Sequence, residues 1–177
     1  MEFVVLGGPE EGPTLRLPYE RFAYAGKFVT TSTGKAVARE EGAVVGAASF
    51  DRDRTDASVA RVRYVTVRND RRGEGVGATL LSFLAEHLLS DAREVRIAVN
   101  NAFAYEAAYK AGFAYSGEQT GLAELVLRRP GDRSAEAYRE GIATLRRRED
   151  LGTSERAFLA RRVGDRPPAT VEPATDA

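Results

Sequence analysis

The sequence predicts a mixed α/β fold: a mostly antiparallel central sheet with flanking helices, followed by a helical C-terminal arm. Three observations carry this prediction. Segments of period-2 and helical pattern follow one another in the order strand, strand, strand, helix, strand, helix, strand, strand. Tyr19 to Arg129 contains no proline, whereas Pro9, Pro13 and Pro18 precede it and Pro130, Pro167, Pro168 and Pro173 follow. Between one strand-like run and the helix after it, Gly73, Gly75 and Gly77 alternate, which places a parallel crossover there.

Taken in order, "KAVARE" and "AVVGAASF" flank Glu41-Gly42 and read as a hairpin. The next run, "ASVARVRYVTVRN", changes parity, because Val59 and Val62 differ in face while Val65 and Val67 share one. Such a slip needs either two buried faces or a bulge, and a bulge is preferred because it would free backbone groups beside the glycine loop. After the loop, Val76, Leu80, Leu84 and Leu88 step by four, with Leu81 and Ala85 beside them, as on a helix. "EVRIAVN" alternates as a strand, "NAFAYEAAYKAG" reads as an alanine-rich helix ended by Gly112, and "FAYSG" and "LAELVL" close the core. Beyond Pro130, Ala135, Tyr138, Ile142 and Leu145 lie at helical spacing, and Thr153 or Ser154 can cap a second short helix. The resulting organisation is a domain over residues 1–129, a helical extension over 130–165 and a disordered tail over 166–177.

A chain of 177 residues supports one well-buried core rather than two full-sized domains. Its 26 basic and 26 acidic side chains cancel, so no global field recruits nucleic acid or an anionic membrane, and any anion must be bound locally. Cysteine is absent, which removes disulfides, thiolate metal sites and cysteine nucleophiles. "MEFVVLGGPEEG" fits neither a signal peptide nor a membrane span, so a soluble, cytoplasmic protein without a metal is expected.

Alternating glycines let successive backbone N–H groups converge, and a helix starting there adds its unpaired N–H groups and positive dipole end. A phosphate or pyrophosphate suits such a site, with Arg71 and Arg72 as a cationic fork beside it. A Walker loop is excluded because the loop ends Gly77-Ala78-Thr79. A dinucleotide fingerprint is matched formally by Gly73, Gly75 and Ala78, but its ribose-binding acid belongs at the end of the next strand, and Glu94 begins that strand.

The third pattern, Arg-x-x-Gly-x-Gly at Arg72, Gly75 and Gly77, resembles the GNAT superfamily of acetyl-CoA-dependent N-acetyltransferases. The resemblance runs from about Lys35 to Leu127 and includes "NNAFAYEAAYKAGF", which is similar to the family's second motif. It implies a GNAT-like fold with acetyl-CoA as cosubstrate. The pyrophosphate would meet Arg72, Gly73, Gly75, Val76, Gly77 and Ala78, and the pantetheine arm would lie along Val65 to Val67 like an added strand. The N–H of Val67 would hold the developing oxyanion, and Asn101 and Tyr105 would approach the coenzyme. A thioester is already activated, so a neutral primary amine can attack it with no covalent nucleophile. An ammonium with an ordinary pKa near ~10.4 must first lose a proton.

The sequence departs from that pattern in two places. Where many members carry a tyrosine acid stands Ala108, so the neighbouring Tyr109 becomes the candidate acid, with packing as its alternative role. Where many carry a glutamate base in the fourth strand stand Arg61, Arg63 and Tyr64; water, Glu118 or Glu124 remain as proton acceptors. His87, the only histidine, reads as a surface helix residue, "DRDRTD" as a solvated loop, and "LRRRED" as a solvated face. "YERFAYAGKFVTTSTG" stands where relatives build the acceptor side of the cleft, which Tyr24, Lys27, Phe28 and Thr31 could line; the alternative is an ordinary helix packing on the sheet.

The expected activity is transfer of acetyl to a primary amine on a small molecule or peptide, without nucleic acid or membrane partners. A GNAT-shaped module that binds acyl-CoA without turnover is the alternative. The arm could dock on its own domain or pair two chains as a homodimer.

Overall fold

The computed structural model describes residues 1–162 and 165–174. Two compact units divide the chain. One comprises residues 1–95 and the described residues from 171 onward, the other residues 96–170.

In the first unit β1 (Glu2–Gly7), β2 (Gly34–Glu40), β3 (Ala43–Arg52) and β4 (Val59–Val67) pair antiparallel in chain order. Glu41 and Gly42 join β2 to β3 with φ of 50° and 81°, the two left-handed residues that a tight hairpin turn matching the sheet twist requires. β1 escaped the sequence reading because "EFVVLG" is a short edge strand that stops at a glycine pair.

The preferred bulge in β4 is present. Ser49 pairs with Tyr64 and Phe50 with Val62, so Arg63 is the extra residue and the strand's facing changes across it. α1 (Val76–Leu89) packs its Leu80, Leu81, Leu84 and Leu88 stripe onto this sheet. Burying each leucine contributes about 1.5–3 kcal/mol. Another cluster is formed by Phe28, Val37 and Ala47 with Tyr64 packed beside them.

The N-terminal stretch corrects one expectation: in place of a helix, only a short 3-10 turn forms at Ala25–Phe28. Pro18 and Gly26 interrupt it, Tyr24 sits at a left-handed φ of 58°, and the β-branched run after Phe28 disfavours a helix. The stretch is held instead by Lys35, which is fully buried. Its Nζ donates to the carbonyls of Pro13 (2.7 Å), Thr30 (2.6 Å) and Thr33 (2.8 Å).

The second unit contains β5 (Glu94–Val99) from Arg96 onward, α2 (Ala102–Lys110), β6 (Ala114–Gln119), β7 (Leu125–Arg129), α3 (Ala135–Arg146) and α4 (Thr153–Arg161). β7 lies between β5 and β6 and is antiparallel to β6. α3 packs on β6, and α4 packs on α2 and α3. Gly152, rather than Thr153 or Ser154, precedes α4, and no side chain caps that end. Residues 165–174 adopt neither helix nor strand, although Arg133 Nη2 donates to the Pro168 carbonyl at 3.2 Å; the last three residues of the expected tail lie outside the described residues.

Candidate active site

The glycine loop ends at the N-terminus of α1. Gly73 and Gly75 take φ of 82° and 86°, where a side chain strains the backbone, and an ideal Cβ on either meets no atom within 4 Å. Glycine is therefore demanded there by conformation, and the loop's backbone lies open. Gly77 differs: a Cβ there would approach Val67 Cγ2 to 3.3 Å, so its missing side chain lets α1 start close against β4.

Gly75 is the N-cap of α1, with no side-chain cap and no acid in the first turn, leaving the N–H groups of Val76, Gly77 and Ala78 without an intrahelical acceptor. The starts of α2 and α3 are filled by side chains, whereas α4, like α1, has no side-chain cap. Asn101 Oδ1 accepts from Ala104 N at 2.8 Å and Glu155 Oε1 from Ala102 N at 2.8 Å on α2, while Ser134 caps α3. A bare, dipole-positive end beside two open glycines suits an anion such as a pyrophosphate.

The expected pair of cations at the loop is reduced to one. Arg71 is bound by the carboxylates of Glu40 and Glu74, the latter at 2.6 Å, so its charge is met within the protein and the loop is tied to the end of β2. These partners push the Arg71 pKa up, and the Arg71 hydrogen bond holds the Glu40 carboxyl below the usual range. Arg72 is exposed beside the glycines.

Along β4, Arg68 N donates to the Val45 carbonyl on β3 at 2.9 Å. Strand alternation then turns the N–H groups of Val65 and Val67 away from β3.

The second unit holds the remaining sequence candidates. Tyr105 and Tyr109 are fully buried on α2 and stack with centroids 5.0 Å apart. Tyr105 donates its hydroxyl proton to the Tyr138 carbonyl at 2.8 Å, and the Tyr109 hydroxyl accepts from Tyr115 N at 2.9 Å. Burial raises the pKa of both phenols, Tyr105 well above its ordinary value. A Cβ on Gly141 would overlap the Tyr105 hydroxyl, so the packing of α3 here depends on that glycine. Both rings also pack against Tyr138 of α3. Asn101 spends its oxygen on the α2 cap. Glu118 is exposed, and Glu124 accepts from the Thr120 hydroxyl at 3.2 Å.

A cleft of about 860 Å³ opens in the first unit against the bulge of β4. Arg63, Tyr64, Ser49 and Asp51 line it from the strands, Lys27 from the 3-10 turn, and Glu10 and Glu11 from the β1–β2 connection. Of the four residues expected to line an acceptor site, Lys27 alone does so: Phe28 is buried, Tyr24 stacks on Tyr64 at 5.6 Å, and Thr31 is exposed elsewhere. His87 is exposed, as expected, and its side of α1 also borders the cleft. Glu10 and Glu11 were missed as site residues because they belong to a glycine- and proline-rich turn with no periodic signal, and only the folded sheet brings "GGPEEGP" beside β4. In "DRDRTD", Asp53 caps its own turn through Thr55 and Asp56, and Asp56 binds Ser58 and Arg93.

Among the described residues no cluster of side chains suited to a metal ion occurs, and no helix is long and apolar enough to cross a membrane. No curated protein matches the sequence. Solved structures that align with part of this chain include a GNAT-family protein from Desulfovibrio desulfuricans, at 16% identity over 54% of this chain and 67% of that one, with a TM-score of 0.48. A ribosomal-protein-alanine N-acetyltransferase from Brucella melitensis matches at 24% over 55% of this chain and 68% of its own, TM-score 0.44. PaiA N-acetyltransferase from Thermoplasma acidophilum, solved in complex with coenzyme A, matches at 18% over 53% and 58%, TM-score 0.44. The chain thus spans roughly two thirds of the length of such proteins. Residues 7–113, well over half of the sequence, match the model of the Acetyltransferase (GNAT) family, and the chain belongs to that family.

Proposed function

We propose that this protein is an N-acetyltransferase that moves acetyl from acetyl-CoA to a primary amine. The bare N-terminus of α1 behind two left-handed glycines is the observation that carries the reading, together with membership of the family. Val76, Gly77 and Ala78 would hold the pyrophosphate through their N–H groups, Gly73 and Gly75 would let it approach, and Arg72 would add charge. Acetyl-CoA supplies a thioester carbonyl already activated toward an amine. The N–H groups of Val65 and Val67, directed away from β3, are suited to hold the pantetheine arm and to stabilise charge developing on the carbonyl oxygen. Asn101 and Tyr105, which the family resemblance offers as coenzyme contacts, spend their side-chain oxygens within their own unit, on Ala104 N and the Tyr138 carbonyl.

An attacking ammonium must lose a proton before it can form its new C–N bond. Water can take that proton in so open a cleft, and the carboxylates of Glu10 and Glu11 line the same space. The departing thiolate needs a proton in return; the family's tyrosine position holds Ala108, and the neighbouring Tyr109 is the candidate acid. Its buried hydroxyl, already bonded to Tyr115 N, favours a second reading, an acyl-CoA-binding module without turnover.

Following free CoA release from acetyl-CoA in the presence of an amine panel tests this. Steady, amine-dependent release is expected. Saturable CoA binding with no release above the amine-free rate for any member would leave the binding module.

A further inference from the structure

We propose that the acceptor carries a carboxylate as well as its amine, and that Arg63 is the residue that grips it. This rests on the transferase reading above and names the substrate class of that site. Arg63 is the residue that the bulge adds to β4, and a bulge re-aims the side chain it carries. That side chain lines the cleft and is 43% exposed.

One of its donors is used: Arg63 Nη1 reaches Asp51 Oδ2 at 3.2 Å. A guanidinium has five donors in a fixed fork, so a carboxylate can still be met by two parallel bonds. Asp51 does not need Arg63 for its own charge, since Arg61 already binds both of its oxygens at 3.1 Å through Nε and Nη2. The group of Asp51, Arg61 and Arg63 therefore carries one positive charge in excess, and Asp51 orients the fork that bears it.

The surroundings agree with this assignment. Lys27, 5.6 Å over the Tyr64 ring, and Arg54 bring further cations to the cleft, while Arg52 and Asp91 neutralise each other at 2.5 Å. Glu10 and Glu11 bring the opposite sign from the β1–β2 connection. A polycationic acceptor would meet Arg63, Lys27 and Arg54 as like charges, whereas a zwitterion finds a partner for each end.

The test is calorimetric titration of a panel of L-amino acids and of the amines that lack only their carboxylate, L-phenylalanine with phenethylamine being one pair, each with and without CoA. At least one amino acid should bind about 10- to 100-fold more tightly than its paired amine. Arg63→Gln should remove that preference, Arg63→Lys should restore part of it, and neither should change the affinity for CoA. Equal binding of amines and amino acids, no binding by any amino acid, or a preference that survives Arg63→Gln would overturn the proposal. CoA binding without an amino-acid preference overturns this inference and leaves the transferase reading standing, whereas the preference without CoA binding overturns the transferase reading and with it the claim that the bound amino acid is an acceptor.

Discussion

Gly75 and Gly42 form a matched pair that isolates what the glycine loop does. Both are left-handed, with φ of 86° and 81°, and a Cβ built on either meets no atom within 4 Å. Gly75→Ala and Gly42→Ala should therefore carry the same backbone cost, about 1–2 kcal/mol. For a chain of this size that lowers Tm by roughly 2–8 °C. They differ in what lies beside them: Gly42 turns a hairpin, whereas Gly75 caps the open end of α1. A methyl at Gly75 stands where a phosphate would approach, and losing one charge-assisted hydrogen bond costs about 1.5–3 kcal/mol, roughly 10- to 150-fold in CoA affinity. Titration calorimetry at fixed ionic strength should show that loss for Gly75→Ala and none for Gly42→Ala. Unchanged affinity in Gly75→Ala, or equal weakening in both variants, would refute the assignment of the loop.

Tyr109→Phe should lower Tm with an almost unchanged kcat, because Tyr115 N–H loses its buried acceptor at a cost of about 1–3 kcal/mol; a hundredfold fall in kcat at constant Tm would instead make Tyr109 the thiolate's acid. Replacing Glu40 with Gln weakens the tie from Arg71 to the end of β2, so KM for acetyl-CoA should rise severalfold while kcat holds, as steady-state kinetics would record. Hydrogen bonds from Ser58 and Arg93 hold the Asp56 carboxyl down at about 2. A depressed carboxyl adds stability above its ordinary value near ~3.9 and loses it as pH falls through the folded value. Urea denaturation at pH 5 and pH 2 should therefore show a smaller acid loss in Asp56→Asn than in the unsubstituted protein.

Elements with a strong period were legible in the sequence. The α1 stripe, the hairpin turn at Glu41-Gly42 and the β4 slip each impose a local pattern that the structure repeats. β1 and the N-terminal stretch were not, because their geometry is set by contacts distant in sequence: β1 borrows its order from β2, and Lys35 gathers three carbonyls from separate turns. The same division runs through the site. The glycines announce themselves through spacing, but whether Arg71 faces a ligand or two carboxylates depends on Glu40, some thirty residues away in the chain. For Tyr109 the sequence offered an acid's role or a packing role, and what its ring meets depends on α3, which lies beyond Pro130 in the chain.

The central claim, that the loop and α1 hold the phosphates of coenzyme A, is tested most directly by the melting temperature with acetyl-CoA, free CoA, NADH and ATP in parallel. A ligand at one hundred times its Kd adds about 2.7 kcal/mol, or roughly 5–11 °C here. Shifts with both CoA species and not with NADH are the predicted result. A shift with NADH alone, or none with any of the four, would contradict it.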